Sequence, residues 1–568
     1  MSRIISYIDR ISPAYLRRVL FFTWFAFNLL QAILTEIHAD EAYYVLYGDN
    51  LAWGYYDHPP MIALMVWLSS KLWPLGGNLS VRLMTVLLHT ATIYVIYKTA
   101  EIENNKKSLL WFFLTGMSMT MLNMYGFMTT PDVPLLFFTA LFFFAYKRYL
   151  QSNSNAAQWQ YAVLIGVSVG CMLLSKYMGV LVVGFAVLSN LRLITDKKMW
   201  VALLIGLALF FPHLWWQYSN DFPSFSYHLV GRSTGMNLLY FLEYLPNQLL
   251  VFNPLVCCLM LYAAWKARNC SDKFYRSSSW CVMGFIVFFM LTSFRGHVEP
   301  HWTVAASVPA LLLLSKWSEQ SVLTKKNESI LWRLSALMWV IIFVARIVLA
   351  LNILPVNVGL SGKQPRYDKL HEVCGDLPVV FAGSFQDPSL YMYFEGGQAT
   401  VLSEIYSRRT QYDILAAERT MQGKPACVIG QIHDARYYEY AGGDFYCYNA
   451  NALQAANRVS VEITQVRIAG DSLYLAVIMD NSYDVDFDFE HKEFPISVFV
   501  AGHADGKWCP SRCRVVGSQV IPAGEKENYL LVCERPNWDE KNNEAKVVVC
   551  LYNSWIMSQN SKPFKISD

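Results

Sequence analysis

The pattern of hydrophobic and polar positions divides the chain near residue 355. Before this point one long apolar stretch follows another, and many are long enough to cross a bilayer core of about 30 Å. We predict about eleven membrane-spanning helices in this part of the chain. The predicted spans centre on residues 19–35, 80–98, 108–128, 133–150, 160–175, 177–194, 199–217, 240–264, 279–294, 303–316 and 330–353.

Lysine and arginine gather at alternate ends of these predicted spans, always on the same side. By the positive-inside rule that side is the cytoplasm. The N-terminus then lies inside, and an odd number of spans places the region after residue 355 outside. The basic groups on the cytoplasmic side are Arg17/Arg18, Lys98 with Lys106/Lys107, Lys147/Arg148, Arg192 with Lys197/Lys198, Lys266/Arg268 with Lys273/Arg276, and Lys316 with Lys325/Lys326.

The first loop on the predicted outer side, about residues 36–79, is long and unusual. It contains "ADEAYYVLYGDNLAWGYYDHPP" (residues 39–60), in which four carboxylates alternate with tyrosine and tryptophan. We expect the apolar run before it to be an uncleaved signal-anchor, because "EIHADE" is a poor cleavage site. The apolar piece 61–73 is short for a span, so we expect a helix lying on the membrane surface. The alternative, a twelfth span, would separate the acidic loop from the C-terminal region.

The sequence after residue 355 has ordinary polarity and predicts two further parts. Residues 356–456 mix strand-like and helix-like stretches, which indicates a small α/β unit next to the membrane domain of residues 1–355. Residues 457–568 show short alternating runs separated by turns such as "HADG" and "PAGE", which is typical of a β-sandwich. Seven of the twelve cysteines lie in this region. Cys509 and Cys513 form a plausible local disulfide, although pairing cannot be deduced from sequence.

Composition supports a membrane protein and excludes some functions. Hydrophobic residues make up 54% of the chain and charged residues 16%, against about 25% charged residues in soluble domains. The net charge is +3, and no basic cluster interleaved with aromatic residues indicates nucleic-acid binding.

The predicted outer side combines carboxylates, a few cations and aromatic rings at a membrane surface. A carboxylate can act as a general base toward a hydroxyl or amine within hydrogen-bond reach, and lysine or arginine can neutralise a phosphate. A site that acts on a lipid-linked sugar phosphate needs a carboxylate and a cation at one place, because the phosphate lies at the membrane surface with the anomeric carbon just beyond it. A polyprenyl phosphate leaving group needs charge stabilisation more than protonation.

Five stretches of the membrane part, each at a predicted outer membrane boundary, carry a further signal. They are the loop quoted above, "TTPDVPLLFF" (residues 129–138), "LLSKYMGVLV" (173–182), "HLWWQYSNDFPSFSYHLVGR" (213–232) and "RGHVEPHW" (295–302). Each is weak alone, but together and in this order they resemble the GT-C glycosyltransferases, specifically the bacterial relatives of protein O-mannosyltransferases and of the aminoarabinose transferase that modifies lipid A (glycosyltransferase family 39-like). The resemblance covers about residues 19–353 and implies a GT-C membrane domain.

The resemblance implies inverting transfer of one sugar from a polyprenyl-phosphate donor to an acceptor outside the cytoplasm. The acidic pair of the family matches Asp40 and Glu41, with Asp40 as the carboxylate that orients or deprotonates the acceptor and Glu41 as its neighbour. The second acid of the family matches Asp132. Two prolines near a helix start also make Asp132 a candidate helix cap, and both interpretations can hold.

The remaining candidate residues would hold the donor or shape the site. Lys176 would bind the donor phosphate in the family interpretation; the alternative is a lysine that reaches the membrane interface. Arg232 and Arg295 break the positive-inside bias, which favours phosphate binding. The residues assigned to shaping the site or contacting substrate are Asp57, His58, Tyr43, Tyr56, His297, Glu299 and His301.

The loop 295–301 leaves the question of a metal open. It could complete the donor site or bind a divalent cation, but its spacing matches no strict metal motif. No metal ligand and no cofactor are therefore assigned, and a divalent cation remains the alternative.

The rival function is a transporter or flippase for a lipid-linked or anionic substrate. Such proteins place polar residues at mid-membrane on broken helices, often with internal repeats, whereas here the polar residues gather at the predicted outer ends. A sensor with a ligand-binding outer domain would not require acidic and cationic clusters in short loops.

Protein, lipid A and an envelope glycan all fit as the acceptor. The sequence shows no lumenal module of the eukaryotic mannosyltransferases, which favours a bacterial inner-membrane enzyme.

Overall fold

The computed structural model describes residues 11–229, 238–320, 325–352, 359–432, 434–504, 507–534, 544–551 and 556–566. The chain forms two compact units, Met1–Ser361 and Gly362–Asp568. The first is helical, and the second is rich in β-strands. The predicted division of the second unit at residue 456 stays a prediction.

The first unit is built from α-helices joined by short loops and two 3₁₀ turns. The helices are α1 (Pro13–Leu34), α2 (Ala39–Asp49), α3 (Met61–Leu72), α4 (Leu79–Ala100), α5 (Lys106–Ser118), α6 (Thr120–Met124), α7 (Asp132–Gln151), α8 (Asn155–Ser175), α9 (Gly179–Ser189), α10 (Lys197–Ser219), α11 (Pro223–Leu229), α12 (Leu238–Phe252), α13 (Pro254–Ala267), α14 (Lys273–Thr292), α15 (Ser307–Gln320) and α16 (Lys325–Leu351). The 3₁₀ turns are Leu191–Thr195 and Pro300–Ala306.

Six of these helices are long and apolar enough to cross a membrane, or up to eight if each of two bent pairs is one span. The predicted count of about eleven is therefore not confirmed, although a multi-pass membrane protein is. The predicted spans at 108–128 and 240–264 are each divided between two helices, and the stretch at 177–194 holds a helix of 11 residues. The helix Met61–Leu72 has 12 residues, which is too short to span.

The bends have local causes. Helices α12 and α13 meet at 98°, where Asn253 adopts a φ of 60° and its side chain caps the next helix. Helices α1 and α2 meet at 91°, because the chain is extended at Thr35 and His38 before it turns into α2. The second bend places the start of α2, with its two acidic residues, at the end of α1.

Small residues allow α8 and α10 to pack closely. A Cβ built on Gly166 would lie 2.5 Å from the carbonyl oxygen of Ala202, and one built on Gly170 would lie 2.8 Å from Cβ of Leu209. Close backbone approach at small residues is the usual way in which membrane helices pack. This contact fixes α10 beside α8, the helix that Lys176 directly follows.

The second unit begins with helices α17 (Gln364–Cys374), α18 (Gln386–Glu395) and α19 (Gln411–Leu415), interspersed with strands of a five-stranded sheet. The strands are β1 (Val379–Ala382), β2 (Ala399–Leu402), β3 (Ala426–Ile429), β4 (Arg436–Tyr440) and β5 (Gly443–Ala450), in the order β2-β1-β3-β5-β4. The first three strands are parallel, and β5 and β4 are antiparallel to their neighbours. The predicted α/β character of this region is confirmed.

The rest of the second unit is an antiparallel β-structure, in agreement with the alternating runs in the sequence. Its strands are β6 (Val459–Ala469), β7 (Ser472–Asn481), β8 (Phe487–Asp488), β9 (Ile496–Ala504), β10 (Lys507–Val516), β11 (Val520–Ile521), β12 (Lys526–Glu534), β13 (Glu544–Leu551), β14 (Met557–Gln559) and β15 (Phe564–Lys565). An eight-stranded sheet runs β14-β13-β9-β10-β12-β7-β6, with β15 pairing β13, and β8 pairs β11 separately. A bridge between Val461 and Ser561 joins the two ends of the large sheet.

The predicted Cys509–Cys513 disulfide is wrong, and the structure pairs Cys374 with Cys427 instead. Cys509 and Cys513 both lie on strand β10. Four residues of extended strand separate their Cα atoms by about 13 Å, beyond the reach of a disulfide. The thiol of Cys447 lies 2.9 Å from the Cys427 sulfur, so three cysteines meet in the core of this unit.

Candidate active site

Asp40 lies in the first turn of α2 with its side chain 42% exposed. His38 is the N-cap residue, and its ring Nδ1 accepts a hydrogen bond of 3.2 Å from the main-chain N–H of Asp40. A negative charge in the first turn of a helix is stabilised by the unpaired N–H groups and the helix dipole. The backbone of Asp40 is thus held in the first turn of the helix, while part of its side chain is exposed.

Glu41, the next residue, has a different environment because it is completely buried. Both of its oxygens accept from Arg82 of α4, at 2.8 Å from Nε and 2.5 Å from Nη2. Oε1 also accepts from the main-chain N–H of Thr129 at 2.8 Å, and Oε2 from that of His38 at 2.9 Å. The remaining donors of Arg82 reach the carbonyl oxygens of Ala32, Thr35 and Glu36.

All five N–H donors of the Arg82 guanidinium are therefore used, two by Glu41 and three by carbonyl oxygens. The Glu41 carboxylate accepts four hydrogen bonds in total. A bidentate pair between arginine and carboxylate is the strongest common form of such contact. It ties the start of α2 to α4 and to the segment before α7. Sequence reasoning placed Glu41 beside Asp40 but missed Arg82 as its partner; an arginine inside an apolar helix was the available signal.

Aromatic side chains stack along α2 and the loop that follows. The rings of Tyr47 and Tyr55 are parallel, with centroids 4.1 Å apart, and Tyr43 packs 4.8 Å from Tyr47. Tyr55 donates to the carbonyl oxygens of Tyr47 and Asn50. Burial raises the pKa of Tyr55 to about 12, so its hydroxyl keeps the proton that these bonds need. Tyr43 is 2% exposed, and its ring is part of the packing.

The "DHPP" residues are held by the same aromatic group. Asp57 is buried and accepts a hydrogen bond of 3.2 Å from the Tyr47 hydroxyl. The ring of His58 lies 3.3 Å from the hydroxyl of Tyr44 through Nε2. Asp57 and His58 therefore pack within this aromatic group, and their role in shaping the site stays a prediction.

Residues of α10 and of α11, the next helix, hydrogen-bond to this loop. His213 Nδ1 lies 2.7 Å from the carbonyl oxygen of Trp53, and Nε2 lies 2.9 Å from the hydroxyl of Tyr177. Ser224 Oγ donates to the carbonyl oxygens of Tyr55 and Tyr56, each at 2.9 Å. Sequence reasoning quoted the stretches that carry His213, Tyr177 and Ser224 but gave none of them this role, because the contacts of His213 and Ser224 with the loop span 160 residues or more.

A second group of charges surrounds Asp132 at the start of α7. Lys176, the residue after the end of α8, places Nζ 2.8 Å from both carboxylate oxygens of Asp132. The Tyr125 hydroxyl lies 3.3 Å from Oδ2, and His301 Nε2 lies 4.0 Å from it. The side chains of Asp132 and Lys176 are 3% and 11% exposed, whereas that of His301 is 36% exposed.

The two groups are joined by a short stretch of backbone. Thr129 donates to Glu41, and Asp132 follows three residues later. The hydroxyl of Thr129 also lies 2.8 Å from that of Thr85 in α4. The sites predicted from separate motifs thus share a framework of α2, α4 and the start of α7.

The loop before the Pro300–Ala306 turn carries the other predicted cations. Arg295 is exposed. His297 Nε2 lies 3.8 Å from the Glu299 carboxylate, and the His297 ring packs edge-on against Tyr240. Arg232 lies outside the described residues.

The divalent cation stays an open alternative, and the described residues bear on it only through the spacing that a metal ion requires. Within the part of the chain that the structure describes, a metal-sized group of three such ligands occurs only at Cys374, Cys427 and Cys447 of the second unit. Two of these form the disulfide. Asp132 already faces the ammonium group of Lys176, so the arrangement around it is that of an ion pair.

Solved structures place this architecture in a known fold. The chain is similar to ArnT from Cupriavidus metallidurans, with a TM-score of 0.54 and 15% identity over 77% of this chain and 98% of that one. The chain has the GT-C fold. The same protein bound to undecaprenyl phosphate gives a TM-score of 0.53 and 14% identity over 76% and 97% of the two chains.

Sequence comparisons agree with this GT-C assignment and confirm the resemblance to the superfamily. The sequence model of the family described as dolichyl-phosphate-mannose-protein mannosyltransferase matches residues 57–216. A lipid A galacturonosyltransferase, RgtD, of Rhizobium johnstonii is 28% identical over 303 residues, which is 52% of this chain. The match spans 63% of the length of that relative.

Proposed function

We propose that this protein is a membrane glycosyltransferase that moves one sugar from a polyprenyl-phosphate donor to an acceptor outside the cytoplasm. The observation that carries the proposal is the contrast within "DE". Glu41 is sealed in an ion pair, whereas Asp40, held on the same rigid turn, keeps a partly exposed carboxylate. A fixed carboxylate open to a substrate is what a general base requires.

In this proposal Asp40 orients or deprotonates the acceptor nucleophile, which attacks the anomeric carbon of the donor sugar. The polyprenyl phosphate leaves from the opposite face, so the configuration at that carbon inverts. The leaving group is already a stabilised anion, and cations near it lower the barrier further by compensating its developing charge. The GT-C fold of the chain and the undecaprenyl phosphate bound to a structural neighbour support such a donor.

Lys176, Arg295 and Arg232 are the proposed ligands of the donor phosphate. Lys176 contacts both carboxylate oxygens of Asp132, and an ammonium group has three N–H donors, so it can contact a phosphate while it remains near Asp132. Arg295 is exposed and supplies a second positive charge. His301 borders the pair and is the more accessible member of the group.

We further propose lipid A, or a glycolipid like it, as the acceptor. The relative from Rhizobium johnstonii acts on lipid A by its name. The protein would then lie in a bacterial inner membrane, with the N-terminus in the cytoplasm and the loop 36–79 and the second unit on the outer side, as the distribution of lysine and arginine favours.

The test compares membranes that carry the wild type, Asp40→Asn or Asp49→Asn. Each is given a panel of polyprenyl-phosphate sugars together with lipid A, and the release of free polyprenyl phosphate is followed. Asp49 is a matched control, because it is an aspartate at the last position of the same helix, whereas Asp40 lies in its first turn. We expect release by wild type and Asp49→Asn for one donor, and none by Asp40→Asn.

Wild-type turnover in Asp40→Asn would remove Asp40 from the mechanism. Failure of the wild type with every donor and lipid A would contradict lipid A as the acceptor, and failure with every other acceptor as well would contradict the proposed reaction. Repeating the panel with membrane protein or envelope glycan in place of lipid A separates a wrong acceptor from a wrong reaction.

A further inference from the structure

The helix that carries Asp40 is capped by a histidine. Caps of this kind are usually serine, threonine, aspartate or asparagine, whose short side chains accept from the first free N–H groups of the helix. At the start of α2 this acceptor is Nδ1 of His38. The choice of residue raises the question of what the ring does that a shorter cap would not.

The ring is fixed on its Nδ1 side by Asp40 itself. Nδ1 accepts from the Asp40 N–H at 3.2 Å and lies 3.7 Å from the Asp40 carboxylate. The His38 N–H donates to Glu41 at 2.9 Å, which completes a reciprocal capping box. His38 therefore links the open carboxylate of Asp40 to the sealed pair of Glu41 and Arg82.

The opposite edge of the ring meets a distant part of the membrane unit. A Cβ built on Gly359 would lie 3.2 Å from both Cδ2 and Nε2 of His38. Gly359 adopts a φ of 70°, a conformation that favours glycine. The imidazole is thus confined between the first turn of α2 and the chain near Gly359, and its orientation is defined from two sides.

We propose that His38 is a positioning residue for Asp40, and that Gly359 supports it from behind. The inference rests on the proposed function, in which Asp40 is the base. An aspartate cap would set a second negative charge beside Asp40, and a serine would be too short to contact the chain at Gly359. A histidine caps the helix without adding that charge, and its ring also contacts the chain at Gly359.

The first experiment separates positioning from loss of a cap. His38→Ala removes the acceptor, and His38→Asn keeps an acceptor suited to the cap. Asn105→Ala is the matched control, because Asn105 caps α5 through N–H groups of Lys107 and Ser108, away from Asp40. Initial rates of polyprenyl phosphate release give kcat and the KM of the donor for each variant.

We expect kcat of His38→Ala to fall about tenfold or more with an unchanged donor KM, because misplacing a base by a fraction of an ångström is costly. His38→Asn restores the cap but not the contact with the chain at Gly359, so its kcat should lie between those of His38→Ala and the wild type. Asn105→Ala should retain wild-type kcat. Equal kcat in His38→Ala and Asn105→Ala would overturn the proposal.

The second experiment displaces the His38 ring without substituting His38. Gly359→Ala would press a Cβ against His38, and Gly362→Ala serves as its control. Gly362 has a φ of 74° but nothing within 4 Å of the added Cβ, so both variants carry the same backbone strain. A lower kcat in Gly359→Ala alone is expected, and equal kcat in the two would contradict the supporting role of Gly359.

The two proposals fail in different ways. If the wild type releases no polyprenyl phosphate from any donor with any acceptor, the proposed function fails. If the wild type is active but His38→Ala matches Asn105→Ala, only the role of His38 fails.

Discussion

Two carboxylate–cation pairs lie close along the framework of the membrane unit, and they are built differently. The pair of Glu41 and Arg82 is fully buried, and every donor of the guanidinium is used. The pair of Asp132 and Lys176 is nearly buried, but it is bordered by a half-buried histidine, and the lysine has one more N–H to offer. The first pair has no capacity left for a ligand, and the second has.

The difference shows that the two acidic residues of the "DE" motif have different roles: Glu41 belongs to the structural framework, and Asp40 is the candidate for chemistry. A buried ion pair stabilises only when its geometry and additional hydrogen bonds offset desolvation, and the Glu41–Arg82 pair meets that condition. It holds the turn from which Asp40 projects. Completeness of hydrogen bonding therefore separates a framework residue from a candidate reactive one more clearly than the presence of charge does.

The largest expected effect comes from breaking the sealed pair. Arg82→Ala leaves the Glu41 carboxylate buried without its partner, which costs about 3–5 kcal/mol of stability. Thermal unfolding in a fixed detergent measures this loss. Lys98→Ala is the control, because the Lys98–Glu103 pair is 40% and 33% exposed, and such pairs contribute about 0–1 kcal/mol. Similar losses in the two variants would contradict the framework role of Arg82.

A smaller effect, on activity rather than stability, is expected at the second pair. Lys176→Met keeps an unbranched apolar stem and removes the charge, so kcat/KM for the donor should fall about tenfold to a hundredfold, the value of one charge-assisted hydrogen bond. The Asp132 carboxylate keeps the Tyr125 hydroxyl as a hydrogen-bond donor and His301 beside it, so the unfolding temperature should change less than in Arg82→Ala. An unchanged kcat/KM would show that Lys176 only neutralises Asp132.

Much of this framework could be predicted from sequence where local rules decide. The helix start at Asp132 follows from prolines and an acid in its first turn, and the break at Lys176 follows from a charge between two apolar runs. The strands after residue 457 follow from alternation. Each of these depends on neighbours within one turn or one strand.

The partners of the site residues could not be predicted, because they are distant in sequence. Glu41 meets Arg82 and Thr129 across 41 and 88 residues, and Trp53 meets His213 across 160. The predicted number of spans is not confirmed either. Hydropathy counts apolar residues, but it does not show where a residue such as Asn253, with a φ of 60°, interrupts a helix.

The smallest expected effect concerns Arg295, which extends the comparison to a cation outside both pairs. Its side chain is exposed, so Arg295→Ala should leave the unfolding temperature unchanged, and the KM of the donor should rise about threefold to tenfold with little change in kcat. Lys71→Ala is the control, since Lys71 is also an exposed cation on the predicted outer side. Because exposed charges are screened by salt, the KM of the wild type should rise with ionic strength and that of Arg295→Ala should rise less. If both variants keep the wild-type KM and its salt dependence, Arg295 does not contact the donor phosphate, and Lys176 becomes the main cation of the described site.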